Sequence, residues 1–150
     1  MPLKLKTIAI VLSPFIIALL LFLMIVSFSS SSNHQYFGIA VDSHDEIYLA
    51  HLGGLTVVSK SGERVRELKV ESPKGYNFNV IEDNIYIVAM NNSYVMDLYG
   101  NKTDRQITEE QKTAIRSRGA FHFDTDNGTE YYLSQNHVFR EKNGNKTLIY

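Results

Sequence analysis

Residues 38–68 read "GIAVDSHDEIYLAHLGGLTVVSKSGERVREL". Three short runs, "IAVD", "IYLA" and "LTVV", are rich in Val, Ile, Leu and Tyr. Gly, Asp, Ser and His separate them, as turns separate hairpin strands. A fourth run, "ERVRELKV", is the most polar and carries Arg64, Arg66, Glu67 and Lys69. Charges suit an edge strand, because they discourage pairing with strangers. The stretch therefore predicts four antiparallel strands that grow more polar outward.

The same pattern recurs twice. "FNVIEDNIYIVAMNNSYVMDLYGNKTDRQI" runs from Phe78 to Ile107, and "AFHFDTDNGTEYYLSQNHVFREKNGNKTLIY" from Ala120 to Tyr150. Tyr48, Tyr86 and Tyr132 mark one place in each copy. Gly62, Gly100 and Gly144 follow them by 14, 14 and 12 residues. The period is 38 residues and then about 45, and such periods indicate repeat architecture. Gly and Asn tolerate the positive φ of tight hairpin turns, which predicts that the repeated "GNKT" (100–103 and 144–147) turns the chain between third and fourth strands. The predicted class is all-β, with three four-stranded blade-like repeats.

Glycine, apolar strand, aspartate, turn, "IYLA" and a strand closing at Ser61-Gly62 together resemble an NHL-type β-propeller repeat. The likeness is good over Gly38–Leu68, moderate in the second copy and loose in the third, which has two extra residues in its acidic turn. It implies a partial β-propeller. Val80 or Ile81 stands near the place of Asp42 in the second copy. The basic residues with which some members bind RNA are missing from the first two copies, so that activity is not carried over. Rings of this kind usually take about 4–8 blades, and this chain supplies three. Copies associate to complete a ring, or the sheets form an open array, or the chain is a remnant or fragment.

Before the repeats, Ile8–Phe28 is an uncharged apolar run, long enough as a helix to cross roughly 30 Å of hydrocarbon. Lys4 and Lys6 precede it, and the Ser-rich exit has no Lys or Arg. The positive-inside bias places the N-terminus in the cytoplasm and the rest outside. A cleaved signal would usually have a shorter apolar region of about 7–15 residues, which favours a signal-anchor. The predicted organisation is therefore a cytoplasmic start and transmembrane helix over 1–29, a tether over 30–37 and an extracytoplasmic domain over 38–150. Beyond the helix, 13 basic residues face all 16 acidic ones. That balance makes no case for nucleic acid. Without cysteine there is no disulfide and no thiol nucleophile, a pattern commoner on bacterial surfaces than in animal secretions. Asn91, Asn101, Asn127 and Asn145 begin Asn-x-Ser/Thr triplets, glycan acceptors only in a eukaryotic secretory pathway; the turn chemistry of the repeats is the favoured explanation.

Between the second and third copies, "TEEQKTAIRSRG" (108–119) predicts a short surface helix. Thr108 and Gln111 have capping-box spacing, and Arg116 and Arg118 favour its C-terminal end. Chemistry is sparse. Asp124, Asp126 and Glu130 offer three oxygen ligands to calcium, but Asp, Asn and Gly belong in a hairpin turn anyway. His34, His44, His51, His122 and His137 show no helical zinc spacing; His122 and His137 fall about one strand apart. No catalytic, cofactor or metal residue is assigned, and an enzyme is not expected. The reading is a membrane-anchored binding or scaffolding module that uses the acidic turns Asp42–Glu46, Glu82–Asn84 and Asp124–Gly128. The alternative is a carbohydrate-binding or degenerate carbohydrate-active protein, for which Tyr36, Phe37, Tyr76, Tyr94 and Tyr99 are the available aromatics.

Overall fold

The computed structural model describes residues 34–72 and 74–150. The predicted span 8–28 lies outside them; among the described residues no helix is long and apolar enough to cross a membrane. Strands β1 (Gly38–Val41), β2 (Ile47–His51), β3 (Gly54–Val58) and β4 (Arg64–Lys69) form the first sheet. The second holds β5 (Asn77–Ile81), β6 (Asn84–Val88) and β7 (Ser93–Asp97). The third holds β8 (His122–Asp124), β9 (Thr129–Ser134), β10 (His137–Lys142) and β11 (Asn145–Leu148). Neighbouring strands pair antiparallel and in chain order. Helix α1 (Glu109–Ser117) opens on the predicted capping box, in which Thr108 accepts from the Gln111 amide and the Gln111 side chain accepts from the Thr108 amide.

Two expectations need correction. The second sheet has three strands, because its fourth shrinks to one bridge between Met96 and Lys102. Past Thr103 the segment "DRQI" offers only Ile107 for packing, and Ile107 joins α1 on another face of the sheet. The third sheet also differs from expectation in its register.

Four turns share one construction: Asp42–Glu46, Ser59–Glu63, Asp97–Asn101 and Thr125–Thr129. In each, the side chain of the first residue accepts from the amide of the fifth, at 2.9, 3.2, 2.9 and 3.1 Å in that order. The fourth residue (Asp45, Gly62, Gly100 or Gly128) has positive φ and donates its amide to the first residue's carbonyl. By this frame Thr125 stands where Asp42 stands, so Tyr131 and not Tyr132 is the counterpart of Tyr48. Gly144 misleads the count, because with Asn143 it makes a shorter turn at φ 76° and 54°. The two "GNKT" stretches both turn the chain, with different geometry. A one-residue slip exchanges the faces of a strand: Tyr131 is buried in the core while Tyr132 lies on the opposite face.

Packing obeys that register. The Tyr48 face of the first sheet meets Phe78, Val80, Ile85, Ile87 and Met96 of the second. Its other face, with Ile39, Val41, Ile47 and Leu49, meets Tyr131, Leu133 and Val138 of the third. The spatial order is third, first, second, so the last repeat closes back on the first in propeller-like fashion. Ile115 of α1 covers the Tyr86 face of the second sheet. At the centre, Arg118 reaches the innermost strand of every sheet. Its Nη2 donates to the carbonyls of Ile39 at 2.6 Å and Phe78 at 3.4 Å, and Nη1 to that of His122 at 3.5 Å. The guanidinium lies 5.0 Å above the Phe123 ring.

The predicted tether ends inside this packed unit. Tyr36 is buried, its amide donates to Asn136 Oδ1 at 2.9 Å, and Asn136 Nδ2 donates to the His34 carbonyl at 2.8 Å.

Candidate functional site

The first hairpin turn of each repeat joins the two innermost strands, so all three turns emerge at one end. Together they line a cavity of about 560 Å³. Its apolar lining includes Val41, Val80 and Phe123 from near the ends of the innermost strands, and Asp42, Asp45, Glu82, Asp83, Asp124 and Asp126 line it as well. The acidic turns singled out from sequence are thus brought together by the packing of the third sheet on the first. Ser43 Oγ donates to Asp83 Oδ1 at 3.0 Å and ties the first turn to the second.

The carboxylates differ in what they are free to do. Asp42 is buried, and its Oδ1 accepts from the amides of His44 and Glu46 while Oδ2 accepts from Tyr48 Oη. It holds the turn. Behind it, Arg66 grips Glu46 through both carboxylate oxygens, at 3.1 and 2.6 Å, and donates through Nε to the Leu98 carbonyl of the second repeat. That pairing holds the Glu46 carboxyl below the usual range. Glu82 and Asp83, by contrast, are exposed at the tip of a two-residue turn with φ 47° and 57°. Non-glycine residues hold such angles at a cost. Gln135 and Asn136 make the same kind of turn at φ 49° and 66°, so the geometry belongs to the hairpin.

Two other clusters bring ligand-type atoms together. His51 is buried, stacked on His34 at 3.9 Å, with Nε2 3.0 Å from Glu67 Oε2. Its Nδ1 accepts the Gly53 amide at 3.1 Å, so Nε2 carries the proton and donates to Glu67. A metal at Nε2 would displace that proton, which makes the group a structural hydrogen-bond chain. On the outer face of the third sheet His122 Nε2 lies 3.0 Å from Asp124 and 3.5 Å from Glu130. His122 stacks on Tyr132, whose hydroxyl donates to Glu130. Of the calcium set from sequence, Asp124, which also lines the cavity, and Glu130 meet His122, and Asp126 is not in that cluster. His137 pairs with Ser134, two positions along from the Tyr132 row of His122, and does not join it.

The aromatics available for a sugar platform are mostly occupied elsewhere. Tyr36 and Tyr76 are buried, Phe37 and Tyr94 pack partly against the core, and Tyr99 is exposed. Sequence reasoning missed Arg118, which it placed at a helix end. The signal was present: an arginine just before the first strand of the third repeat falls at the centre of any arrangement that gathers inner strands.

No family model matches the chain, and comparisons with curated proteins and with solved structures returned no match.

Proposed function

We propose that the protein is a single-pass, membrane-anchored extracytoplasmic binding or scaffolding module built from NHL-type blades. Its acidic rim takes a basic segment of a partner protein. The observation that carries this reading is the convergence of Asp45, Glu82, Asp83, Asp124 and Asp126 around one cavity with a partly apolar lining. Clustered like charge repels itself, and a cationic ligand relieves that repulsion while Val41, Val80 and Phe123 accept its aliphatic stems. A carbohydrate ligand is disfavoured by the burial of Tyr36 and Tyr76.

The test is calorimetric titration of the full chain, in lipid nanodiscs, with a short oligolysine peptide. Salt-sensitive binding is expected, and it should be lost in the variant Asp45→Asn/Asp83→Asn/Asp126→Asn without any lowering of its melting temperature. Undiminished binding by that variant would refute the acidic rim as the site. Protease added to right-side-out vesicles should digest the region after Ser29, and protection of that region would refute the outside placement.

A further inference from the structure

The opposite end of the sheets has the reverse chemistry. There the β2–β3 turn exposes Leu52 (67 %) and the β6–β7 loop exposes Met90 (84 %). Turns normally place Gly, Asn, Asp or Ser at such tips, and what is informative is that these two apolar tips line one and the same concavity rather than standing singly. With Phe37 and Tyr76 they line a concavity of about 490 Å³ whose charged side chains are Lys74 and Arg116. No described carboxylate lines it, whereas the far end is rimmed by carboxylates. His34, the first described residue, stacks on His51, the neighbour of Leu52, so the described chain begins at this end, whose carboxylates Glu67 and Glu71 are paired with Arg64 and Lys102.

We propose that this end rests on an anionic lipid surface, with Leu52 and Met90 among the acyl chains and Lys74 and Arg116 against headgroup phosphates. The inference rests on the anchored reading above and names the second surface that such a protein uses. Charge decides the orientation, because anionic headgroups attract Lys74 and Arg116 and repel the acidic rim. Chain length decides the reach. Only residues 29–33 separate the apolar run from His34 in sequence, and five residues reach at most about 20 Å even when fully extended. Apolar tips beside cations are what interfacial membrane contacts use.

The chain has no cysteine, so Leu52→Cys, Met90→Cys and Asp126→Cys each supply a single thiol for an environment-sensitive fluorophore. All three sites are exposed, so stability should hold. The full chain is reconstituted into phosphatidylcholine vesicles, with and without phosphatidylglycerol, containing lipid-attached quenchers. Labels at 52 and 90 are expected to shift blue and to be quenched several-fold more than the label at 126. Phosphatidylglycerol should increase the effect, and Lys74→Glu/Arg116→Glu should reverse that increase. Labels at 52 and 90 as water-exposed as the one at 126, in chain that resists alkaline carbonate, would overturn the lipid contact and leave the anchor standing. Release by carbonate, from vesicles in which labels 52 and 90 had been lipid-protected, would remove the anchor and support the surface. Protection that tracks protein concentration rather than lipid quenchers would overturn the proposal in favour of a second copy.

Discussion

Tyr48 Oη donates to Asp42 Oδ2 at 3.0 Å, joining the tyrosine of "IYLA" to the aspartate that precedes the turn. Both residues are buried, and the other carboxylate oxygen is occupied by two backbone amides. Tyr48→Phe would leave a buried carboxylate oxygen without its donor, at an expected cost of about 1–3 kcal/mol. Urea unfolding of the two forms, compared at equal slope, measures it.

Acid sensitivity should trace to Glu46. Arg66 lowers its folded pKa against the upward push of burial, and the pair is about three-quarters buried. A depressed folded pKa means stabilisation that is present above about pH 4.3, the unfolded value, and lost as pH falls through the folded one. Melting temperatures of the wild type should therefore fall more steeply below that pH than those of Arg66→Met. Tyr36 gives the opposite case. Burial pushes it up to about 12, so its contribution is complete below about pH 10 and disappears as pH rises towards the folded value. Tyr36→Phe should flatten the alkaline limb.

Gly62 and Gly144 both have positive φ, yet substitutions should separate them. A Cβ on Gly62 would stand 1.9 Å from the Ile149 carbonyl oxygen, whereas one on Gly144 would meet nothing within 4 Å. Gly62→Ala is expected to cost at least about 2 kcal/mol, through strain and displacement of the terminal segment. Gly144→Asn should stay within about 1 kcal/mol, since Asn tolerates this conformation. Thermal melts of the two variants side by side test both values.

Much of this architecture is readable from residues. Thr108 and Gln111 announce the helix, and Asp42 with "IYLA" announces the first sheet, because caps and hairpins are local chemistry. Register in the third repeat is not local. Tyr131 and Tyr132 are equally plausible by propensity, and only the Thr125 turn decides which one faces inward. The fourth strand after Gly100 fails for a similar reason: "GNKT" fixes a turn, but a strand beyond it needs "DRQI" to have a sheet to pack on. The acidic turns could be named from sequence, but their convergence depends on the third sheet docking on the first. Arg118 gains its meaning only from that docking, and Leu52 and Met90 gain theirs from the packing of the second sheet on the first.

The acidic rim carries a stability cost that mutation should recover. Asp45 holds φ 63° where the sister turns use Gly62, Gly100 and Gly128. Asp45→Gly is expected to stabilise by up to about 1 kcal/mol in chemical denaturation. It should also weaken oligolysine binding by removing a rim charge. Stabilisation without any loss of binding would separate the turn from the site.

The order third, first, second is tested most directly by a distance. Spin labels on Ser43→Cys and Asp126→Cys report the first and third turns, and labels on Ser43→Cys and Asp83→Cys the first and second. Pulsed electron resonance on the full chain in nanodiscs should give short, narrow distributions for both pairs, because both turns line one cavity with the first. A short distance for 43 and 83 with a long one for 43 and 126 would mean sheets stacked in chain order, contradicting both the closure of the third repeat on the first and the single acidic rim.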